Sequence, residues 1–399
     1  MESMVKALLL LLLPALADFS SYARDLASLP VEHLHDATVL TSSDFDLRDA
    51  APLGGQRYVM VAGGVQAWEE RSVTAAAAGA DQSGRATLPA EEGGPCATSE
   101  HLVASEDCWW YSRCGHTPTE TRVELITSTS SHPVMVTVPV PPRRALGWSP
   151  MQGCEPAGVL LTGYGSAVTA YLVTTGAAQE LASFNMFGPV FPGYWTAVRL
   201  ADRRIAVVAI EQDDRHVDSR IMFRILGADG EVTETSLAFD PRQQYANVAA
   251  AVGTNGQVAV IAVTADSSVS GMTFSPDNPA AGRPRTLSTG EGAALPFPGA
   301  VVEPLEDRFA VSWIGVSDRA VWLSELAPAF ALPPVRVGDE SDRAHPLLFL
   351  HRRDDGLDVM WVGARGLTVR SLPAQPTGYL VAADFWPRVR ASVERRFKQ

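Results

Sequence analysis

The residues of this chain that could do chemistry are mainly carboxylates that follow predicted apolar strands. The sequence contains no Gly-x-Ser-x-Gly nucleophile turn, no His-Glu-x-x-His pair and no Gly-rich phosphate loop ending in Lys-Ser/Thr. Converging carboxylates can bind Ca²⁺, which makes Asp213, Asp214 and Asp218 candidate ligands; the alternative is solubilising surface charge. No other cofactor is expected. The whole acidic group is Glu69, Glu70, Asp213, Asp214, Asp218, Asp266 and Asp318.

A second group is apolar and lies in a predicted loop, at residues 186–195. The stretch reads Met-Phe-Gly-Pro-Val-Phe-Pro-Gly-Tyr-Trp. An exposed apolar patch of this kind marks a binding surface, whereas a loop that plugs a central channel would have the same composition. The candidate binding residues are Trp68, Phe187, Phe191, Tyr194 and Trp195.

The four cysteines, Cys96, Cys108, Cys114 and Cys154, lie in one third of the chain. An even, clustered set favours two disulfides in an exported protein. Their spacing does not match a paired Cys-x-x-Cys zinc site, although a zinc site or free buried thiols remain the alternatives.

The elements that must position these residues recur with a period of about 50 residues. The clearest copy is an apolar strand at 246–252, a turn containing Asn255-Gly256, and a second apolar strand at 258–263. Asn-Gly between two apolar runs predicts a hairpin. Second strands of this kind are predicted near residues 60, 110, 160, 208, 260, 311 and 360.

Alternating strands flank each central run, and a fourth, more polar strand follows in several copies, as in Glu231–Thr235. The sequence therefore predicts an all-β, seven-bladed β-propeller with four-stranded blades over residues 37–383. An N-terminal strand at 37–42 is expected to close the last blade, with Tyr379–Ala382 as the competitor. The alternatives are a long β-sandwich or two β domains.

The strand–turn–strand–strand unit resembles the WD40-like and TolB/YncE-like propellers as a class. It departs from each subfamily, because no Trp-Asp dipeptide and no aspartate-box turn occur, and the kelch-like hint consists of the doublets Gly54-Gly55 and Gly63-Gly64 in the first copy. The resemblance covers most of the chain but implies no particular activity.

This fold also constrains the cysteines. Cys108 and Cys154 are expected in first-to-second-strand turns of adjacent blades on one face, and Cys96 and Cys114 in loops on the other. Cys108 and Cys114 bracket one strand and are too far apart to bridge. The predicted pairs are therefore Cys96–Cys114 and Cys108–Cys154.

The termini have patterns of their own. Residues 1–17 combine Lys6, a short apolar run and an Ala-x-Ala site, which indicates a signal peptide; a buried N-terminal helix is the alternative. Residues 18–36 form a lead segment, and residues 384–399 are predicted to form a helix that docks on the propeller or binds a partner.

Composition limits the partners. The net charge of −13 disfavours nucleic acid, and no segment of the mature chain is long enough to span a membrane. We expect a secreted or periplasmic bacterial propeller that binds a protein or a glycan without catalysis. The alternative is a glycoside hydrolase or lyase with carboxylates from different blades at the channel mouth, and a structural role in the envelope is a third possibility.

Overall fold

The computed structural model describes residues 38–39, 47–53, 57–62, 67–72, 82–85, 94–105, 108–116, 120–129, 133–138, 144–164, 166–187, 194–212, 219–227, 229–288, 294, 299–306, 308–329, 331–332, 334–338, 347–353, 356–363 and 366–373. For 67–72, 82–85, 94–100, 144–146 and the ends of several other strands it describes the backbone alone.

Within these residues the strands form seven four-stranded antiparallel sheets, here called blades. Blade one contains β2 (Leu47–Leu53), β3 (Arg57–Ala62), β4 (Ala67–Ser72) and β5 (Gln82–Arg85), and blade two contains β6 (Gly94–Ser105), β7 (Cys108–His116), β8 (Thr121–Thr127) and β9 (Val134–Val138). Blade three contains β10 (Arg144–Pro150), β11 (Ala157–Tyr164), β12 (Ala167–Thr174) and β13 (Ala178–Asn185), and blade four contains β14 (Trp195–Arg199), β15 (Ile205–Gln212), β16 (Ser219–Leu226) and β17 (Val232–Ser236).

The remaining blades follow the same order. Blade five contains β18 (Tyr245–Val252), β19 (Val258–Thr264), β20 (Val269–Phe274) and β21 (Arg285–Ser288), and blade six contains β22 (Ala300–Pro304), β23 (Phe309–Ile314), β24 (Val321–Leu326) and β25 (Val335–Gly338). Blade seven combines β26 (Leu348–Arg353), β27 (Gly356–Gly363) and β28 (Gly366–Pro373) with the N-terminal strand β1 (Thr38–Val39).

Burial falls from the middle of each blade to its outer edge. Every residue of β19, β23 and β27 is buried, whereas β17 is partly or fully exposed along its length. A second strand is covered on both faces by neighbouring blades and is therefore apolar at consecutive positions, while an outer strand meets water. The predicted second strands near residues 60 to 360 are the second strands of the seven blades.

The core consists of seven hydrophobic clusters, and each lies between two adjacent blades. One of them joins Tyr58 and Met60 of blade one to Met360 and Val369 of blade seven. The first strands of adjacent blades also contact each other around the whole series, including β2 with β26. The blades therefore form a closed ring, and the prediction of an all-β propeller with four-stranded blades is confirmed.

Closure uses the N-terminal strand, as predicted. Thr38 pairs with Val369 and Val39 pairs with Thr368, which places β1 on the outer side of β28. The competing segment, Tyr379–Ala382, lies outside the described residues. The predicted signal peptide (1–17), the lead (18–36) and the terminal helix (384–399) also lie outside them, and no helix in the described part of the chain has the length and hydropathy needed to cross a membrane.

Side-chain acceptors join the innermost strands of adjacent blades. The backbone N–H of Leu102 donates to Asp49 Oδ2 at 2.7 Å, and the N–H of Ala197 donates to Ser149 Oγ at 3.0 Å. Between blades six and seven, the N–H of Arg352 donates to Glu303 Oε1 at 3.3 Å. An innermost strand is a sheet edge with unpaired backbone groups, and these contacts satisfy some of those groups from the next blade.

The predicted disulfide between Cys108 and Cys154 is confirmed, with the two Cα atoms 5.5 Å apart. It joins the first-to-second-strand turns of blades two and three. Cys114 is also disulfide-bonded, but Cys96–Cys114 stays a prediction because the side chain of Cys96 is not described. Both lie within strands, β6 and β7, rather than in the predicted loops, because these strands are long.

A buried polar cluster crosses the seam where the ring closes. Asp358 Oδ2 accepts a hydrogen bond from Tyr58 Oη at 2.7 Å, and its Oδ1 accepts one from Ser371 Oγ at 2.7 Å and lies 3.0 Å from Arg353 Nε. Burial, reinforced by the charge of Asp358, raises the pKa of the Tyr58 phenol, so this group stays a donor. Blade one is thereby bonded to blade seven by residues 300 positions apart in the chain.

We predict that Tyr58→Phe lowers the free energy of unfolding by about 1.5–3 kcal/mol, because it removes a buried hydrogen bond to a charged acceptor. Tyr245→Phe is the matched control, since Tyr245 Oη donates to a neutral backbone oxygen, that of Asp240, at 2.9 Å. Its expected cost is about 0.5–1.5 kcal/mol. Urea denaturation measures both free energies of unfolding. Equal losses would show that the Tyr58–Asp358 hydrogen bond contributes no more to stability than a bond to a neutral acceptor.

Candidate functional site

One face of the ring carries both the second-to-third-strand turns and the connections between blades; we call it the upper face. Its connections touch its turns directly. The N–H of Met186 donates to the Ser166 oxygen at 2.7 Å, and the N–H of Ala294 donates to the Ser267 oxygen at 2.7 Å. Each of these bonds fixes a connection to the second-to-third-strand turn of the blade that it leaves.

The connection from blade three to blade four begins with an exposed aromatic ring. Phe187 is 44% exposed and is one of three large hydrophobic residues exposed to this degree in the described part of the chain. Its backbone oxygen accepts the N–H of Gln212 at 3.0 Å, and the Tyr194 oxygen accepts the N–H of Ile210 at 2.8 Å. The start and the end of this connection are therefore both fixed to β15, on the side facing the innermost strand.

The other predicted aromatic residues have different environments. Tyr194 is half-buried and packs against the core between blades four and five, whereas Trp195 is buried between blades three and four. The indole of Trp195 occupies the space that a Cβ at Gly147 would need. Trp195 therefore has a structural role, because its indole packs on Gly147 in the core between blades three and four. Phe191 and the side chain of Trp68 lie outside the described parts of the chain.

A buried ion-pair network lies at the upper end of the same seam. Glu211 Oε1 lies 2.5 Å from Arg224 Nη2, and its Oε2 accepts Arg220 Nε at 3.2 Å and Nη2 at 3.1 Å. Arg224 also bonds Glu234 Oε1 at 3.0 Å and the Asn185 oxygen at 3.2 Å. We call Glu211, Arg220, Arg224 and Glu234 the seam network.

Strand alternation directs this network toward blade three. Side chains at 205, 207 and 209 of β15 pack in the cluster shared with blade three, and Glu211 continues that alternation. Arg224 follows it from β16, because its guanidinium carbon lies 5.1 Å from the centre of the Phe184 ring in blade three. The network and Phe187 therefore occupy the same inter-blade seam at the upper face.

Exposure differs sharply within the network. The side chains of Glu211 and Arg224 are each 1% exposed, whereas that of Arg220 is 53% exposed. Two donor atoms of Arg220 are bonded to Glu211, so the buried carboxylate sets the orientation of the exposed guanidinium. Two donors of one planar group that bond to the same carboxylate oxygen restrict how the guanidinium can rotate.

The predicted calcium ligands Asp213, Asp214 and Asp218 lie outside the described residues, so that site stays a prediction. Two other members of the acidic group are used within their own turns. Asp318 Oδ1 accepts the N–H of Ala320 at 3.0 Å, and hydrogen bonds from Thr264 and Ser268 lower the pKa of Asp266. Among described residues, no three His, Cys, Asp or Glu side chains form a potential metal site.

A single titratable carboxyl stands out on the innermost strands. Glu303 lies on β22 and retains partial solvent access, but burial raises its pKa to about 7 against the opposing effect of Arg352. On the adjacent strand β26, burial lowers the pKa of His351. Groups with a shifted pKa occur at functional sites and also in structural contacts. Glu303 makes a structural contact, because its carboxylate accepts the N–H of Arg352 in blade seven.

Sequence reasoning missed Glu211, Arg220 and Glu303. The sequence does contain a signal for Arg220: it lies four residues before Arg224 in a predicted strand, so the two arginines share a face. Nothing in the sequence indicates which blade that face meets.

Comparison with solved structures supports the fold. The BP39L lectin from Burkholderia pseudomallei has 14% sequence identity and a TM-score of 0.52, over 82% of this chain and 96% of the lectin. The chain has the propeller fold. The polysaccharide lyase Uly1 has 10% identity and a TM-score of 0.46, over 80% of this chain and 90% of the lyase. An α-L-arabinanase from Penicillium chrysogenum has 9% identity and a TM-score of 0.42, over 67% and 90% of the two chains.

Likeness at this level of identity establishes architecture and no ligand. No family model matches the chain, and no curated protein sequence matches it. The WD40-like or TolB/YncE-like assignment is therefore unsupported, whereas the broader resemblance to propellers is confirmed.

Glu303 generates a pH-dependent prediction. Its pKa is about 7 in the folded protein and 4.5 for the unperturbed side chain, so the unfolded chain loses the proton first as pH rises. Stability should fall between those two pH values, by at most about 3 kcal/mol. Glu303→Gln has no such proton to lose, and its denaturation midpoint should depend less on pH across this range.

Glu306→Gln is the control, because the Glu306 side chain is 87% exposed and its contact with Arg352 is long, at 3.6 Å. It should follow the wild-type pH profile. Parallel profiles for Glu303→Gln and the wild type would contradict the assignment.

Proposed function

We propose that this protein is an exported, non-catalytic propeller that binds glycans at the upper face, at the seam between blades three and four. The observation that supports it is that the exposed Phe187 is hydrogen-bonded through its backbone oxygen to Gln212, the neighbour of Glu211, which orients the exposed guanidinium of Arg220. A sugar ring presents apolar C–H groups and hydroxyls together, so it matches a site that combines an aromatic surface with a few fixed polar groups.

Several further features agree with this proposal. The solved structures that resemble this propeller include a lectin. The Cys108–Cys154 disulfide suits an oxidising compartment. The predicted signal peptide would deliver the chain there. A glycan is preferred to a protein ligand because the described part of this seam exposes one large apolar side chain, whereas protein interfaces bury an apolar core.

The test is a glycan array followed by calorimetry with the oligosaccharide that binds best. Phe187→Ala should weaken binding roughly 10-fold, which corresponds to about 1.4 kcal/mol, without changing the unfolding temperature. Met135→Ala is the matched control, since Met135 is 43% exposed on the outer strand of blade two and should leave binding unchanged. No binding to any glycan, or equal effects of the two variants, would refute the proposal.

A hydrolase is the second candidate, and Glu303 is the observation in its favour, because a carboxyl with a pKa of about 7 can act as a general acid. Under the binding proposal, prolonged incubation with the bound oligosaccharide releases no reducing ends. Release that disappears in Glu303→Gln but persists in Glu306→Gln would establish the enzyme instead.

A further inference from the structure

The seam network restricts the chemistry of the glycan that Phe187 would bind. We propose that the site takes an uncharged saccharide, and that Arg220, positioned by Glu211, is the polar residue that selects it. This inference rests on the proposed function, and it adds the ligand class and a specificity-determining residue.

The first argument is the charge balance of the seam. Two guanidinium groups, Arg220 and Arg224, are bonded to two carboxylates, Glu211 and Glu234. The positive charge of Arg220 and Arg224 is therefore already neutralised within the protein.

The consequence is a repulsive field for anionic ligands. The whole chain carries a net charge of −13, and like charge lowers both the local concentration and the affinity of an anion. A uronate or a sulfated sugar would meet this negative field, and both arginines of the seam network are already paired with carboxylates. A neutral sugar pays no such cost.

The second argument is the geometry of Arg220. Its Nε and Nη2 atoms are bonded to Glu211, and Nη1 makes no hydrogen bond with the described residues. More than half of the side chain is exposed. A fixed planar guanidinium therefore has a donor edge left for the oxygen of a sugar hydroxyl, with little conformational entropy to lose on binding.

The buried part of the network makes this orientation stable. Glu211 is 1% exposed and is bonded to Arg224, which in turn bonds the Asn185 backbone two residues before Phe187. The aromatic ring and the guanidinium are thus connected through one set of buried contacts. Glu211 acts as a positioning residue, because its carboxylate is covered and does not reach the ligand.

The test compares neutral hexose and pentose oligosaccharides with oligogalacturonates and sulfated glycosaminoglycan fragments. The wild-type protein should bind a neutral probe, with an affinity independent of salt, and should bind the acidic probes more weakly. Arg220→Gln should weaken binding of the neutral probe about 10- to 100-fold, the loss expected for a hydrogen bond from a charged donor. Arg220→Lys should not restore it, because the ammonium group has no planar pair of donors that Glu211 Oε2 could hold in a fixed orientation.

The matched control is Arg242→Gln, which removes an 85% exposed arginine from a surface ion pair with Asp240 in the connection from blade four to blade five. It should bind like the wild type. Far-UV circular dichroism should be unchanged in both Arg220 variants. Arg220→Gln removes the cationic partner of the buried Glu211 Oε2 and should lower the unfolding temperature, whereas Arg220→Lys keeps a cation near that oxygen and should lower it less. Binding is therefore measured well below both unfolding transitions.

The outcomes separate the two proposals. Failure of the wild-type protein to bind any saccharide defeats the proposed function and this inference with it. Binding that depends on Phe187 but not on Arg220, or a preference for acidic probes that weakens with salt, leaves the glycan-binding function standing and overturns this inference.

Discussion

The fold depends on covering both faces of each second strand with neighbouring blades. A single blade with an all-apolar strand such as β19 would leave large apolar surfaces in water, and stacking it between two others removes them. A linear stack would still leave two apolar end faces. Closing the ring between blades one and seven covers these as well, and the pairing of β1 with β28 fastens the first described strand to the last.

Closure also requires polar contacts at the seams. Innermost strands cannot pair with another strand on the channel side, so acceptors such as Asp49, Ser149 and Glu303 bond the next blade. At the closing seam, Asp358 accepts bonds from both blades. Apolar packing alone has no preferred direction. These hydrogen bonds fix how each blade aligns with the next, because a shifted blade would leave a carboxylate without its partner, which costs free energy.

The same architecture decides where a ligand can bind. Connections between blades cross the upper face and are fixed to the strands on either side, so an exposed residue such as Phe187 stands on a rigid base. The seam network extends that base with an oriented Arg220. Phe187 would not be held in this way on a single hairpin, because its connection is bonded to Ser166 of blade three and Gln212 of blade four. Arg220 is held by Glu211 within the β15–β16 hairpin, and Arg224 links Glu211 to the Asn185 oxygen of blade three.

The sequence by itself determined the repeat, the four-stranded unit, the second strands and the N-terminal closing strand, because apolar periodicity and Asn-Gly turns are local properties of the chain. It also indicated the Cys108–Cys154 bond, which depends only on which turns share a face. Tertiary structure alone decided that Trp195 is buried while Phe187 is exposed, and that the strand face carrying Glu211, Arg220 and Arg224 meets blade three. Burial depends on contacts between adjacent blades, whose equivalent residues are about 50 positions apart, and no local pattern of the chain records those contacts.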